Sequence, residues 1–212
     1  MNTERGYVHP GDLQAGPGPL QPGPGPGPGP QAVHIRWMIE RDQLYVLAIE
    51  HASFDCPWTD RDFIRCLQRR DRDGAANVIA MVAETEDNPR GEIAGFVIYE
   101  LRRWRLEILN FALHPKFRRR RVGTQMIAKL ASKLSPNGRT SIRAEVRETN
   151  LAAQLFFRAC RFRSVRTLRG QYDDTPEDAY RMVYRPFAGQ AEGGQECPPV
   201  QDSPRGHGGE HA

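Results

Sequence analysis

Residues 108–134 read ILNFALHPKFRRRRVGTQMIAKLASKL, and the fold follows from how that stretch divides. The apolar run from Ile108 to Leu113 predicts a strand that stops at the turn-forming pair His114-Pro115. Cations then occupy Lys116, Arg118, Arg119, Arg120 and Arg121. A helix is expected from Val122, because Val122, Met126, Ile127, Leu130, Ala131 and Leu134 share one face at a period of 3.6 residues. A strand that empties through a cationic loop into a helix N-terminus is an anion cradle, since the first-turn amides have no intrahelical acceptor. Gly123 would let a phosphate group come close to that backbone. The arginines alone read equally well as a solvated surface or as contacts to nucleic-acid phosphates. It is the order of strand, cations, Val122-Gly123-Thr124 and helix that favours a specific site.

Working outward, Val33, Ile35 and Trp37 alternate with polar neighbours as a first strand. Asp42 to His51 reads as a helix with Leu44, Leu47 and Ala48 facing inward. The segment SFDCPWT (53–59) interrupts it, and Thr59 with Asp62 forms a capping arrangement for a second helix carrying Phe63, Cys66 and Leu67. Two strands follow, Val78 to Glu84 and Glu92 to Tyr99, separated by a turn over 87–91. Trp104 to Leu113 then leads into the cradle, and Pro136-Asn137-Gly138 ends the helix behind it. Ile142, Ala144 and Val146 define one face of a further strand, with Ser141, Arg143 and Glu145 on the other. Asn150 caps a short helix bearing Leu151, Leu155, Phe156 and Ala159, and Arg163–Leu168 and Ala179–Tyr184 close the pattern as strands. This order predicts a mixed α/β fold, a central sheet covered by helices on both sides. No GxGxxG turn opens an apolar helix, which argues against a dinucleotide-binding fold.

Of the 212 residues, those at 1–31 and 188–212 are poor in groups that can be buried and read as tails flanking one domain at 32–187. The proline-glycine alternation of the first tail has period two, not the three of collagen. A net charge of +4 permits an anionic ligand without specifying one. The chain lacks a stretch resembling a signal peptide or long enough to span a bilayer, so a soluble cytoplasmic protein is expected, with no membrane partner. Cys56, Cys66, Cys160 and Cys197 form no CxxC pair, and no metal is expected.

Three blocks, HASFDCPWTDRDF (51–63), LNFALHPKFRRRRVGTQMI (109–127) and AEVRETNLAAQLFFRACRF (144–162), together resemble the GCN5-related N-acetyltransferases (GNAT). Within that family the chain is most similar to bacterial ribosomal-protein alanine N-acetyltransferases, and RGQYDDTPEDAYRMVY (169–184) echoes them more weakly. The resemblance implies acetyl-CoA as donor. Phe111, Ala112 and Leu113 match the strand lying along the pantetheine. Arg119, Arg120, Arg121, Val122, Gly123 and Thr124 match the pyrophosphate loop, with Arg121 standing where the family usually has glycine. Asn150 and Phe157 match positions that meet the coenzyme. Glu145 matches the general base, while the tyrosine that would protonate the leaving thiolate is replaced by Phe157, leaving Tyr172 as the candidate donor. Pro57 and Trp58 fall where the family has the edge of its peptide groove.

An amine attacks a thioester only when neutral, and a free α-amino group has a pKa of about 7.7–8. A carboxylate, directly or through water, can take its proton. On residue type alone, Glu145 reads first as an ion-pair partner of Arg143 or Arg147 on a solvent face, and the resemblance is what favours the base. The resemblance implies transfer to a protein N-terminus, with an alanine-led ribosomal protein as the acceptor. It requires no direct nucleic-acid contact and implies a monomer or weak dimer. A lysine or small-molecule amine acetyltransferase, and a non-catalytic acyl-CoA-binding or ribosome-associated module, are the competing expectations.

Overall fold

The computed structural model describes residues 29–70, 74, 77–86, 91–171 and 176–187. The expected tails up to residue 28 and from 188, the turn at 87–90, Cys197 and Tyr172 lie outside the described residues. The elements are β1 (Val33–Trp37), α1 (Gln43–His51), α2 (Asp60–Leu67), β2 (Val78–Thr85), β3 (Ile93–Leu101), β4 (Arg105–Leu113), α3 (Val122–Ala131), β5 (Ser141–Arg147), α4 (Leu151–Ala159), β6 (Arg163–Leu168) and β7 (Ala179–Tyr184). Short 3-10 turns at Glu40–Asp42 and Pro115–Phe117 precede α1 and α3. The sequence-predicted order is the observed order.

The seven strands form one sheet in the order β1-β2-β3-β4-β5-β7-β6, parallel only between β4 and β5. β3 lies inside the sheet with helices over both faces, which is why IAGFVIYE is buried without alternation. One core lies beneath α3 and α4 and includes Val97, Tyr99, Leu106, Ile108, Met126, Leu130 and Phe157. The other lies beneath α1 and α2 and includes Val46, Ile49, Phe63, Val82, Phe96, Ile98 and Ala112. α2 starts as its sequence predicts: Thr59 accepts from the Asp62 amide and donates its own amide to the Asp62 carboxylate, so Asp fills the place usually held by Glu.

A bulge places Leu109 outside the β3–β4 register, because Ile98 pairs with Asn110 while Tyr99 pairs with Ile108. The extra residue exchanges the two faces of β4. Leu106 and Ile108 point into the α3 core before it, whereas Ala112 points into the α1 core after it. Phe111 and Leu113 consequently turn toward α3 and α4.

Two helix faces differ from expectation. In α1 the buried residues are Val46, Ile49 and Glu50, while Leu44 is 78% exposed and Ala48 is also exposed. Asp42 keeps helical dihedrals as the last residue of the preceding 3-10 turn, where Arg36 donates to it at 2.6 and 2.9 Å, and α1 begins one residue later. Two stripes at helical spacing were available, and the sheet selects the one that delivers a carboxylate to β4. In α4 only Phe157 is buried, while Leu151 and Leu155 are exposed. Leu155 and Ala159 line an open cavity, and Phe156 lines it while packing against the core.

Candidate functional site

The parallel pairing of β4 with β5 runs from Arg105↔Ser141 to Ile108↔Ala144 and stops. Beyond it β4 remains bonded to β3 and β5 to β7, so Leu109–Leu113 and Glu145–Arg147 part. Two cavities open along this wedge. A cavity of about 580 Å³ is lined by Phe111, Ala112 and Leu113 of β4, Arg118 and Arg119, and the apolar face of α4. A cavity of about 220 Å³ is lined by Glu50, Trp58, Asn110, Glu145 and Arg147 among others. They meet at Phe54, Phe111, Asn150, Ala153 and Phe157, which line both.

The larger cavity suits a long, thin anionic molecule. Its floor is β4 backbone and aromatic rings, with Phe111 stacked on Phe156 at 5.5 Å between centroids. Its cationic lining is Arg118 and Arg119, while Arg120 to Thr124 line neither cavity; just beyond, the first intrahelical bond of α3 runs from the Gln125 amide to the Arg121 carbonyl at 3.1 Å. The amides of Val122, Gly123 and Thr124 therefore have no acceptor within the helix. Val122 itself is buried in the core, so only its backbone is offered. Arg119 and Arg121 have φ of 63° and 61°. That left-handed backbone is one that glycine adopts without strain and other residues rarely take. Arg118 is committed to the framework, donating to the Leu113 carbonyl at 3.1 Å and to Ser53 Oγ at 2.9 Å. Arg120 lies over the Phe117 ring, and its buried Nε has no partner. These groups fit a diphosphate followed by an apolar arm, the shape of acetyl-CoA.

Gly123 serves packing. A Cβ there would lie 3.0 Å from Phe156 Cε2 and Cζ and 3.2 Å from Leu113 Cδ1. The loop is also braced from its far side. The Gln31 amide donates to the Arg120 carbonyl at 3.0 Å, and Gln125 Nε2 donates to the Gln31 carbonyl at 2.7 Å. Thr124 hydrogen-bonds the half-buried Cys160, whose thiol burial pushes up despite that contact. Asn150 caps α4, accepting from the Ala153 amide at 3.0 Å.

The smaller cavity holds the acid–base candidates. Glu145 stands on the β5 face opposite Ala144 and Val146, as its alternation requires. Its partner is neither Arg143 nor Arg147 but Arg181 of β7, directly across the pair. Phe157 is only 5% exposed and sits among Phe111, Phe156 and Phe162, at the junction of the two cavities. Trp58 lines the cavity and packs edge-on against Phe63 at 5.4 Å.

Glu50 and Asn110 were not singled out from the sequence. Glu50 is 1% exposed, and both its oxygens accept from Asn110 Nδ2, at 3.2 and 3.1 Å. It also takes the Trp58 amide at 2.9 Å. Burial raises its pKa, outweighing the Trp58 and Asn110 hydrogen bonds and the nearby His51, which lower it. A carboxylate within the apolar Val46–Ile49 stripe was the available signal.

Among the described residues no group of three or more His, Cys, Asp or Glu side chains could hold a metal ion, and no helix is long and apolar enough to cross a membrane. No curated protein matches the chain significantly. The E. coli ribosomal-protein-S18-alanine N-acetyltransferase superposes with a TM-score of 0.59 at 22% identity, over 73% of this chain and 94% of that one. Ard1 of Thermoplasma volcanium gives 0.60 at 26%, over 73% and 97%. Arabidopsis thaliana NAA60, solved with a bisubstrate analogue, gives 0.60 at 20%, over 73% and 98%. Similar structures extend across several acetyltransferase subfamilies rather than singling out ribosomal-protein enzymes. The acetyltransferase (GNAT) family profile matches residues 44–162, more than half of the chain, and with the splayed strands and anion cradle it establishes that this chain belongs to the GNAT family of acetyl-CoA-dependent acetyltransferases.

Proposed function

We propose that this chain transfers the acetyl group of acetyl-CoA to the α-amine at a protein N-terminus, an alanine-led ribosomal protein being the acceptor to try first. The observation that carries the reading is the meeting of an anion-ended apolar cavity with a smaller carboxylate-bearing one at Phe54, Phe111, Asn150, Ala153 and Phe157. When bound, acetyl-CoA supplies the activated acetyl group. The α3 amides and Arg119 hold its phosphates, and Phe111 to Leu113 align its arm. Glu145, at the mouth of the smaller cavity, receives the amine proton directly or through water. Arg181 donates to Glu145 Oε1 at 3.1 and 2.8 Å and fixes where that carboxylate stands. A thiol pKa of about 8.5, taken from cysteine, makes the leaving group good enough for water to protonate it. The reading therefore does not need a hydroxyl at Phe157.

The test is purified protein with acetyl-CoA and a panel of α-amine peptides, lysine peptides and small amines, followed by thiol release and product mass. Acetylation confined to α-amines supports the proposal. Turnover only on lysines or small amines replaces it with those acceptors, and coenzyme binding without turnover leaves a binding module.

A further inference from the structure

Glu50 is a buried carboxylate whose nearby basic group is the adjacent His51. Among the described residues no lysine or arginine forms an ion pair with it, and its partners are the Trp58 amide and the Asn110 side chain. Buried acidic groups are ordinarily matched by a cation or fully hydrogen-bonded, because removing them from water is costly. Asn110 has the complementary defect. Its Nδ2 is held by both Glu50 oxygens, while its buried Oδ1 has no partner. The carboxylate also fixes which end of the amide is which, since a flipped Asn110 would set its oxygen against Glu50. Both residues line the smaller cavity, and the β4 bulge is what turns Asn110 toward α1.

The geometry points to Glu50 and Asn110 as a binding subsite for the acceptor amine: Asn110 Oδ1 takes an amine N–H, and Glu50 supplies negative charge behind it. A protonated α-amine brings the missing cation and the missing donor together. Glu50 polarises the Asn110 amide through its N–H groups and so makes the free oxygen a stronger acceptor. Asn110 touches the substrate; Glu50 is a positioning residue acting through it. The cavity's other charged groups, Glu145 paired with Arg181 and Arg147 paired with Glu177, are already matched, which leaves Glu50 to answer the incoming charge. The subsite captures the amine in its charged form, and Glu145 then takes the proton. This inference rests on the smaller cavity being the acceptor site.

The experiment is a binding cycle on the full chain loaded with coenzyme A, at pH 7. An alanine-led peptide is compared with the same peptide in which a propionyl group replaces the N-terminal alanine, a change that removes only the α-amine. Wild type should bind the amine peptide at least tenfold more tightly. In Glu50→Gln and in Asn110→Leu that ratio should fall to within about twofold, with coenzyme affinity unchanged. A role confined to packing would weaken both peptides alike and leave the ratio intact, overturning the subsite. Wild type that does not distinguish the two peptides overturns it without any variant. The turnover panel is scored separately: acetylation of α-amines with an intact ratio in both variants would sink the subsite while leaving the proposed activity standing.

Discussion

Arg181 donates two hydrogen bonds, at 3.1 and 2.8 Å, to one oxygen of Glu145 across the β5–β7 pair. The arginine holds the carboxylate at the edge of the smaller cavity. Glu145→Gln should lower kcat on the order of 10²-fold, the scale of general-base catalysis, with acetyl-CoA affinity unchanged. Arg181→Met should reproduce part of that loss. Steady-state kinetics with a coenzyme titration check both, and an undiminished kcat in Glu145→Gln would remove it from the mechanism.

Gly123 lies against Phe156 and Leu113, and Phe156 stacks on Phe111 in the larger cavity. Gly123→Val should destabilise the fold by about 1–3 kcal/mol through overpacking. It should also weaken acetyl-CoA binding, because the displaced ring lines that cavity. Thermal unfolding and calorimetric titration test the two effects, and retained affinity would argue against the cradle.

Arg121 adopts φ 61° with ψ 8° at the start of α3. Arg121→Gly should therefore stabilise the protein by up to about 1 kcal/mol, and Arg121→Val should destabilise it, since only glycine takes this backbone without strain. If the backbone rather than the guanidinium binds phosphate, Arg121→Gly should change acetyl-CoA affinity less than threefold. Denaturant unfolding and titration of the pair give the answer.

Phe157→Tyr places a hydroxyl at the junction of the two cavities. If water protonates the thiolate, as proposed, kcat should rise less than threefold. A tenfold rise would mean that the wild-type protein lacks an acid it needs.

Glu50 has a pKa raised by burial, so in the folded protein it gives up its proton less readily than in the unfolded chain. Its contribution to stability is fully present below the unfolded value of about 4.5 and is lost as pH rises through the raised folded value. Glu50→Gln lacks this titration. The Tm difference between the two proteins should move in favour of the variant as pH rises from 4 to 8, read by calorimetry at each pH. A difference independent of pH would contradict the burial of that charge.

Local chemistry carried much of this protein. The 3.6-residue stripe after Val122, the Thr59–Asp62 cap, the unbroken apolar run of β3 and the Asn150 cap all act over a few neighbouring residues, so the sequence states them directly. The cradle is of this kind, because a strand, a basic loop and a helix start are consecutive. Other features depended on which distant element became the neighbour. Glu145 had three arginines within reach of its sheet, and only strand register selected Arg181 over Arg143 and Arg147. The α1 stripe chose Val46, Ile49 and Glu50 because Asn110 waited on β4, and Asn110 was there only because an extra residue at Leu109 reversed the strand's faces. Sequence alone determined the elements and the basic turn that opens α3; the tertiary structure decided which side chains face one another across the wedge, because register, bulge and splay arise from strand partners far apart along the chain.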